Sequence, residues 1–318
     1  MNNLNACFKR LLWTLSVSIL LLCSISLHAQ NEPSFTQYMF NESFINPAYA
    51  GSHEYFSATG LYRNQWVGIE GSPNTETFSI HAPVAKRKLG LGLSVMNESI
   101  GVSHQLMIKG NFAYRILMPT SVFAFGLQAG FVNHQEDLME IHTTVSGDNQ
   151  FSSNVREYFL PNAGFGMYFK TDRFYAGFSI PRLLENKISA SQAEVVVRNI
   201  GNPEIWHYYF ATGYVTDLSE NIKFKPSIMV KAVANSPVEM DLNANFLFNE
   251  LIWIGAGYRT GDAVSAMFGI QLSKNLRLNY SYDYTLSALQ QFNSGSHEFA
   301  LQYDISLEKD KFISPRYF

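Results

Sequence analysis

HEFALQYDISL, residues 297 to 307, puts Phe299, Leu301, Tyr303, Ile305 and Leu307 on one parity and Glu298, Ala300, Gln302, Asp304 and Ser306 on the other. Successive side chains of an extended strand point to opposite faces, so this stretch is a strand with one greasy side and one wet side. NLRLNYSYDYTL, residues 275 to 286, does the same: Leu276, Leu278, Tyr280, Tyr282, Tyr284 and Leu286 oppose Arg277, Asn279, Ser281, Asp283 and Thr285. VEMDLNANFLFN (238–249) and IKFKPSIMVKA (222–232) continue it upstream, the latter with Lys223, Lys225 and Lys231 on its polar side.

Extended to the rest of the chain, the alternation yields about 14 segments of outer-membrane crossing length. They lie near 54–65, 75–84, 88–98, 103–118, 121–133, 159–170, 173–181, 204–216, 222–233, 237–248, 251–259, 263–272, 275–286 and 297–307. The connections after even segments are short, and several after odd ones are long, notably 134–158, 182–203 and 287–296. That asymmetry is expected of a barrel with short periplasmic turns and longer outer loops. A secreted sandwich or propeller also alternates but gives no reason for it. The expectation is an all-β fold: a transmembrane outer-membrane β-barrel of antiparallel strands.

The N-terminus agrees with export. Residues 1–29 carry Lys9 and Arg10, then an apolar run, then the small residue Ala29, the layout of a secretory signal. Cys7 and Cys23 both fall inside it, so the mature chain holds no cysteine and no disulfide. Three leucines precede Cys23, which argues against lipidation. Without Lys9 and Arg10 the basic count is 21 against 26 acids, 21 − 26 = −5, which argues against a nucleic-acid partner.

Aromatics flanking the segments (Tyr55, Tyr62, Trp66, Tyr114, Tyr158, Tyr168, Trp206, Tyr208, Tyr214, Trp253 and Tyr258) suggest girdles at the lipid interfaces. On the polar faces, the tight turns at Asn235-Ser236 and Asn249-Glu250 predict a lumen ladder Lys231-Asp241-Arg259. Gly90/Gly92, Gly164/Gly166 and Gly255/Gly257 precede no helix and are not phosphate loops; they are small lumen-facing positions where the wall bends or meets a plug.

Chemistry is thin. HQEDLMEIH, His134 to His142, matches no tight metal-ligand spacing. Ser296, His297 and Glu298 are consecutive on an alternating strand and so cannot converge as a triad. No catalytic residue, metal or cofactor is expected, and the chain does not look like an enzyme.

Residues 30–52 do not alternate, yet FTQYMFNESFINPAYAGS (35–52) is rich in aromatics. An exposed tail of that kind would be costly, so it should bury itself, as a small plug in the periplasmic mouth or against a partner.

This stretch, with LYRNQWVGIEGSPNTETFSIHAPV (61–84), KLGLGLSVMNESIG (88–101) and a terminal SPRYF, resembles the PorP/SprF family of outer-membrane proteins of the type IX secretion system of Bacteroidetes. The likeness runs from Gln37 to Phe318. It departs slightly at Glu42, Ser43 and Glu70. It implies a barrel that is neither an enzyme nor mainly a pore, an accessory working with periplasmic and outer-membrane parts of the machine. It further implies help in exporting or holding a surface adhesin by its C-terminal domain, including in gliding motility. Candidate partner contacts then divide by side. Gln37, Tyr38, Asn46, Pro47, Tyr49 and Gly51 would be periplasmic, near plug and machine, whereas Arg63, Asn64, Gln65, Trp66 and Pro73 would lie at the first outer loop, facing cargo. The tail 308–318 offers Arg316, Tyr317 and Phe318 to the barrel mouth or a partner. The alternatives are a passive transporter for small or hydrophobic solutes and an adhesin presenting its own loops.

Overall fold

The computed structural model describes residues 33–140, 155–188, 195–200, 206–234 and 236–305. The expected signal, the tail with Arg316, Tyr317 and Phe318, and His142 and Asn235 lie outside them.

Among the described residues seventeen strands follow in chain order: β1 (Phe56–Asn64), β2 (Asn74–Val84), β3 (Leu89–Ile100), β4 (Ser103–Leu117), β5 (Ser121–Glu136), β6 (Val155–Thr171), β7 (Phe174–Ile180), β8 (Leu184–Ile188), β9 (Val195–Ile200), β10 (Tyr208–Tyr214), β11 (Thr216–Ser219), β12 (Ile222–Ala232), β13 (Glu239–Phe248), β14 (Ile252–Arg259), β15 (Ala263–Gln271), β16 (Leu276–Thr285) and β17 (Ser296–Ile305). β8 and β9 form a separate hairpin. β11 prolongs the line of β10 beyond Val215 along β12. The remainder close into a 14-strand antiparallel barrel, sealed where β1 meets β17 and where β10 meets β12. Each segment read from the alternation corresponds to one barrel strand, with ends shifted by a few residues.

Burial is inverted relative to a soluble protein. Inside, Arg63 and Lys225 are 2% exposed and Glu298 is 0%; outside, Leu127 is 61% and Phe78 51% exposed. Charges inside and bare hydrocarbon outside suit a wall in lipid, where every backbone group must be paired and an open sheet edge cannot be solvated. No helix among the described residues is long and apolar enough to cross a membrane; the strands do so. The protein is an outer-membrane β-barrel.

Some of the expected girdle is there: Tyr62, Tyr114, Tyr214 and Tyr258 are exposed on the outer face. Tyr55, Tyr168 and Trp253 are buried in the interior instead. For Tyr168 and Trp253 the reason is parity, because they share a face with Gly164 and Gly166, and with Gly255 and Gly257, respectively.

Connections 85–88, 118–120, 172–173, 220–221, 249–251 and 272–275 gather at one end of the barrel, the turn end. The strand ends at Asn64 and Asn74, Glu136 and Val155, Ile180 and Tyr208, and Thr285 and Ser296 gather at the other, the loop end. In the connection 249–251, Asn249 and Glu250 both have positive φ, 49° and 55°, as the central residues of a tight hairpin turn require to match the twist of its strands, and Leu251 N donates back to Phe248 O at 2.9 Å.

Candidate functional site

The lumen is occupied by the chain's own N-terminal segment. From Phe35 to Ser52 it folds as three short turns of helix, Tyr38–Phe40, Glu42–Ile45 and Pro47–Tyr49, nearly all of it buried. Asn46 starts the last of these: its backbone is extended, as a residue before proline prefers, and its Oδ1 accepts from Ala48 N at 3.0 Å. Helices this short are not stable alone, so the barrel wall supplies the order.

Near the loop end the plug is held by charge. Glu298 accepts from two successive backbone N–H groups, Thr36 at 3.0 Å and Gln37 at 2.8 Å. Arg63 bridges Glu298 (3.0 Å) and Asp283 (2.8 Å) and also donates to Thr36 Oγ1 (3.0 Å), which in turn donates to Asp283 (2.6 Å). Charge-assisted bonds such as these are the stronger kind, and in a buried setting each ion depends on its partners.

The same network includes the ladder. Arg259 lies opposite Asp241 in register and bonds it at 2.6 Å, while its Nη1 reaches Asp283 at 3.8 Å. Lys231 lies opposite Glu239, bonding it at 2.6 Å, with Asp241 diagonal at 3.6 Å. Lys231 also donates to Ser34 Oγ at 2.8 Å. All three ladder residues face inward.

Midway, side chains of the wall take up the orphan carbonyls at the end of the Glu42–Ile45 turn. Asn111 donates to Ser43 O (3.0 Å), Lys109 to Phe44 O (2.7 Å) and Ser179 to Ile45 O (3.1 Å). The Lys109 ammonium also lies 3.7 Å from the centre of the Phe44 ring. Glu42, fully buried, faces Lys225 of β12, Tyr168 of β6 and Tyr175 of β7. Burial pushes its carboxyl up to about 7, against the opposing pull of Lys225 and the two tyrosines.

Toward the turn end the plug is held by shape. A Cβ on Gly90 would collide with the Ala50 carbonyl, one on Gly126 with the Ala48 backbone, and one on Gly166 with the Asn46 side chain. These glycines on β3, β5 and β6 form a trough in which plug backbone lies directly on strand backbone. Asn46 Nδ2 crosses it to Met167 O (2.9 Å), and Lys170 donates to Ser52 O (2.5 Å). Gly255 and Gly257 instead meet Asn245 and Asn243 of the neighbouring strand. Two cavities bordering the plug measure about 10 and 20 Å³, room for about one water each.

Gln37, Tyr38, Asn46, Pro47, Tyr49 and Gly51, expected on the periplasmic side near plug and machine, are part of the plug itself and buried inside the barrel, with Gln37 bonded to Glu298 toward the loop end. Their partner is the wall, because a segment with so many aromatics cannot stay in water. Arg63 is likewise not in the outer loop: it shares inward parity with Ser57, Thr59 and Leu61 on β1. Asn64 ends β1, while Gln65, Trp66 and Pro73 do lie in the loop that follows. There Gln65 N donates to Pro73 O (2.9 Å), and Trp66, at φ 51°, donates from N to Ser296 Oγ (3.1 Å). Val67 N to Gly295 O (2.9 Å) and Ser294 N to Val67 O (2.7 Å) stitch this loop to that between β16 and β17.

Sequence reasoning had not singled out Glu42, Lys109, Glu239, Asp283 and Glu298 as a set. For the four on strands the available signal was parity, since a charged residue on the wet face of a membrane strand needs a partner inside; Glu42, in a helical turn of the plug, carried no such signal. His297 bonds Tyr280 at 2.8 Å on the outer side, while Ser296 and Glu298 face inward. His134 pairs with Glu136 at 2.9 Å, and among the described residues no three His, Cys, Asp or Glu gather as metal ligands would.

Among solved structures, the CymD monoaromatic hydrocarbon channel is similar at 10% identity and TM-score 0.49, covering 86% of this chain and 93% of that one. A FadL homologue of Pseudomonas aeruginosa is similar at 11% identity and TM-score 0.46, covering 83% and 94%. Omp33 of Acinetobacter baumannii is similar at 8% identity and TM-score 0.45, covering 79% and 98%. At this distance none of them bears on what the chain does. No curated protein matches it. A family model described as type IX secretion system membrane protein PorP/SprF matches residues 27–303. With the match spanning the plug and nearly the whole barrel, the chain belongs to the PorP/SprF family of type IX secretion system membrane proteins.

Proposed function

We propose that this outer-membrane component of the type IX secretion system is a plugged, non-enzymatic accessory that binds other parts of the machine and helps export or anchor a partner surface adhesin. The carrying observation is the filled lumen. A barrel whose axis is occupied by its own chain, bonded to strands all round, offers a rigid surface rather than a conduit. The parts left to meet partners are the stitched outer loops, with Gln65, Trp66 and Pro73, and the turn-end rim. Passive transport is the weaker reading, because a solute would have to displace the ionic contacts of Thr36 and Gln37. A role in gliding belongs to the same reading, through the adhesin.

Purification from the native envelope with peptide identification tests it. The expected result is co-purification of a secretion-system component or an adhesin terminus, together with loss of a surface protein on deletion. A lone protein that forms a steady open pore in planar bilayers, and whose deletion leaves surface proteins intact, would overturn it.

A further inference from the structure

The turn 85–88, Ala-Lys-Arg-Lys, concentrates positive charge at the turn end of the barrel. Lys86 and Lys88 are exposed, and among the described residues neither pairs with a carboxylate. Arg87 is held by Glu54 (3.1 Å), Arg115 donates to the Arg87 carbonyl (3.1 Å), and Lys170 donates to the Ser52 carbonyl just upstream of Glu54 (2.5 Å). Lys86, Arg87, Lys88, Arg115 and Lys170 thus gather about only Glu54 and Asp172. Further round the rim the cations are matched: Arg173 by Asp217 (2.5 Å), and Lys223 by Asp217 and Glu250 (3.6 and 3.5 Å). The backbone of the turn is unusual too. Ala85, Lys86 and Arg87 have φ of 50°, 55° and 68°, a left-handed run that is costly for every residue but glycine, yet no glycine is there. A turn that only reverses the chain favours glycine or asparagine, whereas this one keeps its charge and strains its backbone. Beside it lies bare hydrocarbon. Tyr114, opposite Leu89 in register, is 52% exposed, and Leu91, Phe112 and Ile116 are exposed on the same stretch of outer wall. A tyrosine at the edge of an apolar band, with exposed lysines just beyond it, matches a lipid headgroup layer, the ring at the interface and the ammonium at the phosphate. At the loop end the exposed Tyr62 lies opposite Glu76 instead.

We propose that the turn 85–88 and the outer wall around Tyr114 bind an anionic phospholipid of the periplasmic leaflet, with Lys86 and Lys88 on its phosphate and Tyr114, Leu91 and Phe112 along its acyl chains. The occupant follows from charge complementarity at the edge of a lipid-facing wall. The leaflet follows from short turns facing the periplasm. Neither depends on the role in secretion.

The test is native mass spectrometry of the protein released from detergent, with phosphatidylglycerol and the zwitterionic phosphatidylethanolamine offered in equal amounts. Retention of phosphatidylglycerol is expected to exceed that of phosphatidylethanolamine several-fold. The double variant Lys86→Gln/Lys88→Gln should lose that preference, by about five-fold per lysine. Arg173→Gln, whose charge Asp217 already matches, should keep it. Equal retention of the two lipids, or a preference that survives in the double variant, overturns the site. So does an equal loss in Arg173→Gln, which would mean attraction by net charge alone. Should the double variant fail to assemble, raising ammonium acetate around the native protein screens the same two charges, and a preference indifferent to it overturns the site. Glycerophosphoglycerol, the same headgroup without acyl chains, separates a lipid from a soluble anion. It should leave bound phosphatidylglycerol in place at equal concentration, and displacement would overturn the lipid. If the double variant instead loses an acidic protein that co-purifies from the native envelope, with its lipid preference unchanged, the occupant is a protein and the proposal fails.

Discussion

At its loop-facing end the plug presents Thr36 and Gln37 to Glu298, Asp283 and Arg63, whereas at its turn-facing end Asn46 to Gly51 lie on bare strand backbone at Gly90, Gly126 and Gly166. The first contact is made by ions that each need the others, the second by the absence of side chains. Ionic contacts in a buried network fail together when one member goes, since the rest are left charged and dry. Steric contacts fail locally, at the added atom. The same segment is thus held by one cooperative clamp and one set of separable fits, and substitutions can tell the two apart.

The largest effect belongs to the clamp. Arg63→Met leaves Asp283 and Glu298 buried without their cation, and removing one partner of such a pair costs about 3–5 kcal/mol. In detergent, the urea midpoint should fall sharply and protease should reach residues 34–38 before the rest of the plug. An unchanged midpoint would mean that water already screens the network. The trough comes next. Gly90→Ala forces the Ala50 carbonyl off the wall, an overpacking cost of about 1–3 kcal/mol, with faster amide exchange confined to Ala48–Ser52. Gly60→Ala, where an added Cβ meets nothing within 4 Å, is the control and should be silent. If both glycines behave alike, shape is not what holds the lower plug.

The wall was legible because lipid outside and a wet interior impose a period of two, and HEFALQYDISL carries it without interruption. Register was legible where turns are tight: the Asn249-Glu250 hairpin does set Asp241 opposite Arg259. The plug was not legible as a structure, since its order comes from Asn111, Lys109 and Ser179 on distant strands rather than from its own periodicity. Arg63 shows the limit well. Its parity with Ser57, Thr59 and Leu61 pointed inward, but its place at the end of a strand invited a loop assignment. Only the partner carboxylates, more than two hundred residues away, decide between them.

A smaller effect tests whether the trough and Asn46 act as one fit. Asn46→Ala removes the helix-start bond to Ala48 and the bond to Met167, and should lower stability by about 1 kcal/mol. Gly166→Ala alone clashes with the Asn46 side chain, so its cost should shrink in the Asn46→Ala background. Additive losses in that double-mutant cycle would separate the two positions energetically.

The smallest effect is a pH dependence that the two ends should not share. Glu298 and Asp283 are gripped by Arg63, but Glu42, in the middle of the plug, is set among Lys225, Tyr168, Tyr175 and the plug's own Tyr38 and Tyr49, and its carboxyl is pushed up to about 7. A folded-state value above the ordinary 4.5 means that the folded form binds the proton more tightly than the unfolded one. The stabilisation is then fully present below about 4.5 and is lost as pH rises through about 7. Glu42→Gln keeps the shape and removes only this titration, so the thermal midpoint of the native protein, taken relative to that variant, should fall by about 2–4 °C between pH 6 and 8. A relative midpoint that rises with pH would mean that Lys225 holds Glu42 ionised, turning the middle of the plug into an extension of the clamp above it.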